Sequence, residues 1–189
     1  MFQLQHEHPR VIDWIPFPSL RDRLIRLHSA NPQIDQIFCD VVSSYAVEAC
    51  LADLVLGAPK TRVYIRVTDV AMGAADVKNK NIDPYTVLPA PDAASLFSLP
   101  ECAQATFTLL NMDHGVSQYK LDPSFFGSYP ELFDPEEDIV AQGAPLRPNT
   151  QTRLPYPGRL DNLTFQTYRS FMDFHTLALI PLQTSSGFV

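Results

Sequence analysis

Proline sets the limits on this chain. Seventeen prolines stand against seven glycines in 189 residues, nearly double the usual proline share of ~5%. Each proline fixes φ and removes a backbone donor, so long regular elements have to lie in proline-free windows. The clearest window is 33–56, which holds neither Pro nor Gly. Ile34, Ile37, Phe38, Val41, Val42, Tyr45, Ala49, Ala52 and Val55 form a wide apolar band there, and the band predicts one long central helix. Gly57 then stands at the C′ position and Pro59 follows it.

Elsewhere the elements are short. Pro9, Pro16 and Pro18 predict an extended arm over 1–18. Ser19 reads as an N-cap with Asp22 in the first turn, opening a helix that carries Leu20, Leu24 and Leu27 and stops at Asn31-Pro32. Residues 62–67 alternate and are β-branched, which fits a short strand, an extended segment or a helix start. Residues 69–91 read as loop with at most a helical turn. A short helix is expected near 93–99, and 105–112 is an apolar run of either type. Asp122-Pro123 has the form of an N-cap and first helical residue. Asp134-Pro135-Glu136-Glu137-Asp138 repeats that signal with an acidic first turn. Residues 143–161 read as loop and 163–174 as a last helix with Phe165, Tyr168 and Met172 on one face. The expected fold is mainly α: a single compact helical domain over 19–175 with long proline-rich loops and at most one short β element. The extended arm 1–18 precedes it and a tail, 176–189, follows. A chain of this length suits one domain, burying roughly 70% of its unfolded surface.

Composition removes several function classes. The formal net charge is -7, and the only basic cluster, Arg21, Arg23 and Arg26, is offset by Asp13 and Asp22. Direct nucleic-acid binding, which rests on phosphate neutralisation, is therefore not expected. The polar start lacks the apolar core of a signal peptide, and the apolar window is broken by Asp35, Asp40, Glu48 and Asp53, so no membrane span is expected. These readings place the protein in the cytoplasm, with the nucleus left open. Cys39, Cys50 and Cys102 are odd in number and contain no CxxC. On a single helix Cys39 and Cys50 would lie roughly 16 Å apart, beyond disulfide reach, so reduced thiols are expected. HExxH, zinc-type Cys/His spacing, GxGxxG, GxxxxGK[ST] and GxSxG are all absent, so neither a metal nor a cofactor is expected.

What remains is acid/base chemistry. Asp13 sits within Ile12-Asp13-Trp14-Ile15, an apolar setting in which a carboxylate needs a partner, and Arg21 in the following helix is the candidate. That pair reads either as a structural clamp or as a perturbed carboxylate in a pocket. Asp113-His114 ahead of Gly115 reads either as a turn or as a proton shuttle. His28 and His175 each follow an apolar helix stripe, where an imidazole favours the negative helix end. Trp14, Tyr45 and Tyr168 are candidate substrate-binding residues among aromatics that otherwise read as core.

One segment carries a resemblance. His8-Pro9…Asp13…Ile15-Pro16-Phe17-Pro18-x-Leu20-Arg21-Asp22-x-Leu24-Ile25 resembles a fungal domain of unknown function that is found mostly on the C-terminal side of bZIP-type transcription factors. Tyr119-Lys120-Leu121-Asp122-Pro123-Ser124-Phe125-Phe126-Gly127-Ser128-Tyr129-Pro130-Glu131-Leu132 supports it, and the similarity extends over most of 8–140. The resemblance implies a mainly helical fold, a fungal source and a setting near specialised metabolism; it supplies no catalytic residues. These 189 residues contain no basic region and no leucine-zipper heptads, which implies a free-standing domain that does not grip DNA as such a factor does.

Two functions follow. The first is a cofactor-independent cyclase, isomerase or lyase acting on a hydrophobic polyketide-like or terpenoid-like molecule, with Asp13, Arg21 and His114 catalytic and Trp14, Tyr45 and Tyr168 lining the pocket. The second is a non-catalytic domain that binds a metabolite or a partner, with a homodimer left open.

Overall fold

Arg10–Trp14 is a 3-10 turn rather than extended chain. With three residues per turn, Ile12 and Ile15 fall on one inward face and both are buried. The computed structural model describes residues 6–75, 77, 82–112 and 114–148, all within one compact unit spanning Met1–Thr152. The predicted helix at 163–174 and the tail lie outside them.

Helix α1 is Pro18–His28. It starts two residues earlier than Ser19 as N-cap would set it: Pro18 occupies the first helical position, where its missing N–H is an orphan anyway, and Phe17 is an N-cap without a side-chain bond. Leu20, Leu24 and Ile25 are buried, while Leu27 stands in solvent.

The 33–56 window does not form one helix. Helix α2 is Ile34–Ser43, strand β1 is Tyr45–Cys50, and helix α3 is the single turn Leu51–Leu54. At the break the Ser43 and Ser44 hydroxyls donate to the carbonyls of Cys39 (2.7 Å) and Asp40 (2.6 Å), local bonds of the kind that compete with helix continuation. Beyond them, pairing with a distant strand outweighs local propensity. Strand β2, Arg62–Arg66, runs antiparallel to β1 with Val47 opposite Ile65 and Ala49 opposite Val63. The strand reading of 62–67 therefore holds. Cys39 and Cys50 lie on different elements, not on one helix, and all three cysteines are free thiols.

Residues 69–91 are less loop-like than expected. Helix α4 is Val67–Ala74 and helix α5 is Pro84–Val87. Helices α6, Ser95–Ser98, and α7, Pro100–Leu109, settle the next two windows as helical. Gly73 lets α4 and α7 approach: a Cβ there would lie 2.9 Å from the Ala103 Cβ and 3.1 Å from the Phe97 carbonyl oxygen. Strand β3, Lys120–Leu121, then leads into helix α8, Pro123–Ser128. Asp122 caps α8 as predicted, accepting from the Ser124 backbone N–H at 2.9 Å. The second helix-start signal fails. Residues 134–138 form a turn, in which Asp134 accepts from the Glu136 N–H (3.2 Å) and from Arg23 (3.2 Å) instead of capping a helix. Strand β4, Ala144–Pro145, completes the sheet.

The sheet is mixed, in the order β3-β1-β2-β4, with β2 and β4 parallel and the other neighbours antiparallel. The mainly helical expectation is thus overturned: the described residues form an α+β fold, eight α-helical segments with a four-stranded sheet. Two large hydrophobic clusters and a small third one, Ala46, Tyr64 and Ala141, make up the core. The first joins Ile12, Ile15, Leu20, Leu24, Val41 and Phe125; the second joins Val47, Val63, Ile65, Val70, Leu96 and Ala103.

Candidate functional site

Strand β2 alternates. Val63 and Ile65 enter the second cluster, which leaves Tyr64 and Arg66 on the opposite face. There Arg66 sits across from the small Ala46, and Tyr64 across from Glu48. The N-cap of α8 is delivered to this face by β3, whose Leu121 pairs with Tyr45, and by the Asp122 N–H, which donates to the Ser44 carbonyl at 2.8 Å. Arg147, two residues past β4, arrives from the other edge.

The result is a buried charged centre. Asp122 is 1% exposed. One oxygen accepts from the Ser124 N–H and, at 3.5 Å, from the Tyr64 hydroxyl. The other accepts from Arg147 Nη2 at 2.7 Å and lies 3.0 Å from Arg66 Nε. That last contact is an ion pair whose N–H is not directed along a hydrogen bond. Burial alone would push the Asp122 carboxyl up, but the Ser124 bonds and the two guanidiniums outweigh it and hold the group below the usual range. Asp69, in the first turn of α4, lies in the same field. Burial and the charge of Asp122 push its carboxyl up against the opposing pull of Arg66 and Arg147. Burial and Asp122 also raise the Tyr64 phenol. Two carboxylates driven in opposite directions around two cations form an arrangement in which one group can hold a proton while the other stays ionised.

The residues nominated from sequence lie elsewhere. Asp13 is not buried: its side chain is 38% exposed and its Oδ1 is 2.8 Å from His8 Nε2. This bond, with one to the His6 carbonyl, raises the His8 imidazole. Arg21 reaches the Asp13 backbone carbonyl at 3.5 Å. The same 3-10 geometry that buries Ile12 and Ile15 turns Asp13 and Trp14 outward, and Trp14 is 54% exposed, edge-on to Phe38 at 6.1 Å. Tyr45 is packed between Phe17 (6.0 Å) and Tyr119 (5.4 Å), and burial pushes its phenol strongly up. His114 stands exposed in the turn after α7; Met112 beside it belongs to the second cluster, whereas Ile12 and Ile15 belong to the first. His28 does end α1, where its Nε2 lies 3.1 Å from Glu131. Tyr168 and His175 lie outside the described residues. Sequence reasoning missed Tyr64, Arg66, Asp69 and Arg147 and read Asp122 as a cap alone. The available signal was the alternation of Arg62-Val63-Tyr64-Ile65-Arg66, which puts Tyr64 and Arg66 on one face.

A second feature lies along α8 and the turn that follows it. Pro123, Phe126, Pro130, Phe133 and Val140 line a wide, shallow apolar trough of about 330 Å³. Phe126 packs edge-on against Phe125 (5.2 Å) and Phe133 (5.5 Å). Phe133 remains 43% exposed.

Among the described residues no three or more His, Cys, Asp or Glu side chains gather as a metal would need, and no helix is long and apolar enough to cross a membrane. Residues 1–80 match the family model of a domain of unknown function (DUF3425), which bears out the resemblance drawn from residues 8–25. The match includes Tyr64, Arg66 and Asp69 but ends before Asp122, the trough and the supporting stretch at 119–132. No curated protein and no solved structure matches the chain.

Proposed function

We propose that this chain is a non-catalytic recognition domain that holds a protein partner on the trough beside α8. The observation that carries this reading is the contrast between the trough and the charged centre. Aromatic surface is left bare at Phe133, where contiguous apolar patches mark interaction sites. The strongest charges are answered within the chain, Asp122 by Arg66, Arg147 and Ser124. A trough this open covers only one side of a small molecule, whereas small-molecule sites enclose most of their ligand. The resemblance to a domain attached to transcription factors agrees with a regulatory role.

The test is site-specific photo-crosslinking in the native host. A crosslinker replacing Phe133 is expected to yield discrete protein adducts, and one replacing Leu56, which is exposed elsewhere, is not. Equal labelling at the two positions would reject the reading.

One observation favours a second reading, a cofactor-independent cyclase, isomerase or lyase acting on a hydrophobic metabolite. Asp69 and Asp122 are pushed in opposite directions in the field of Arg66 and Arg147, with the Tyr64 hydroxyl against Asp122, and Asp69 would be the proton donor. Purified protein added to a metabolite extract from a strain lacking the gene would then convert one mass peak into another without added cofactor. That conversion would be lost in Asp69→Asn.

A further inference from the structure

The chain that joins two of the trough's lining residues is acidic: Phe133 and Val140 both line it, and residues 134–139 run between them. Residues 131–138 read Glu-Leu-Phe-Asp-Pro-Glu-Glu-Asp, five carboxylates and no base. Three of the five are answered within the chain: Glu131 by His28, Asp134 by Arg23 and Asp138 by Lys120. Glu136 and Glu137 are exposed, and no basic side chain of the described residues pairs with either.

We infer that the trough takes a cationic amphipathic protein segment: two bulky apolar side chains against Phe126 and Phe133, with Lys or Arg beside Glu136 and Glu137. This rests on the recognition reading above and names the partner's chemistry. An apolar floor supplies the anchoring energy, since a few buried aromatic contacts dominate most interfaces. The rim decides which apolar segment is accepted. With a net charge of -7 and two carboxylates without a cation at the edge, an acidic segment is repelled and a basic one is steered in. An anionic membrane surface is disfavoured by the same field.

The experiment is a selection of random twelve-residue peptides displayed on phage. The full chain is the target, and binders that also hold Phe133→Ser are removed. Recovered peptides are expected to carry an apolar pair flanked by Lys or Arg. One of them, made synthetically, should bind Phe133→Ser about tenfold more weakly or worse. On a Glu136→Lys, Glu137→Lys variant its association should slow and lose most of its salt dependence. Peptides that depend on Phe133 but show no cationic excess, or that bind the double variant unchanged, overturn this inference and leave the recognition domain standing. A selection that yields no Phe133-dependent peptide overturns both.

Discussion

Two regions at one short helix are built on opposite principles. At its N-terminal end α8 presents Asp122, sunk to 1% exposure, bonded to a backbone amide, the Arg147 guanidinium and a phenol, and ion-paired with Arg66. Four residues later it presents Phe126, which with Phe133 floors an open apolar trough. In the first region the chain satisfies its polar groups by itself, so their removal should cost stability. In the second it leaves apolar area in water, so removal should cost binding and little else. The comparison teaches that burial and charge alone do not mark a working surface; the open question at each group is whether its partner already belongs to the chain.

The largest expected effect breaks the first region. Asp122→Ala strands Arg66 and Arg147 and uncaps α8, and urea unfolding should show a loss of about 3–5 kcal/mol, the scale for removing one member of a buried ion pair. A loss below about 1 kcal/mol would mean that the centre is not structural and would return weight to a catalytic role. Next comes Gly143→Ala. Gly143 has φ +101°, and a Cβ there would lie 2.3 Å from the Arg62 carbonyl oxygen. The substitution should therefore disturb the β2–β4 edge that delivers Arg147, at about 1–3 kcal/mol for the backbone strain. Hydrogen exchange at Leu146, whose N–H donates to the Tyr64 carbonyl at 2.9 Å, should report the opening directly. Smaller again is Phe133→Ser. It should lower stability by about 1 kcal/mol or less, the scale of one partly exposed aromatic contact, while weakening binding of a selected peptide about tenfold or more. A larger drop in stability than in binding would contradict the division into two regions.

The smallest effect sharpens the comparison within the charged centre. Asp122 has a lowered carboxyl, so its contribution to stability is present above the ordinary value near ~3.9 and is lost as pH falls below it. Asp69 has a raised one, so it withholds stability at neutral pH and returns it as pH falls through its folded value. Urea midpoints from about pH 7 to 3 should show Asp122→Asn flattening the acid loss below about pH 4, and Asp69→Asn removing the gain on milder acidification. Parallel curves for both variants and the parent would show that the two carboxyls do not titrate against the fold.

Part of the helix punctuation was legible because its logic is local. Asn31-Pro32 stops α1 and the Asp122-Pro123 pair starts α8 within a few residues, whereas the Ser19 cap gave way to Phe17 and Pro18 joined the helix instead of an extended arm. Asp134 shows the limit of that logic. The same Asp-Pro signal gave a turn although Asp134 accepts from the Glu136 N–H as Asp122 does from Ser124; its other oxygen is held by Arg23, more than a hundred residues earlier. The role of Asp13 was misjudged for a related reason. Its neighbours are apolar in sequence, but the 3-10 turn buries Ile12 and Ile15 and turns Asp13 out.

By itself the sequence determined the stop of α1 before Pro32, the capping of α8, the alternation of β2, the free cysteines and the acidic balance. These follow from backbone geometry, short-range hydrogen bonds and composition. Tertiary structure decided that 45–50 is a strand inside a helix-like window, that Arg66, Asp122 and Arg147 meet, and that Phe126 and Phe133 share an open trough. Each of those depends on contacts between residues distant in the chain. Strand pairing and charge burial are long-range terms strong enough to override local preference, and no pattern within a short window contains them.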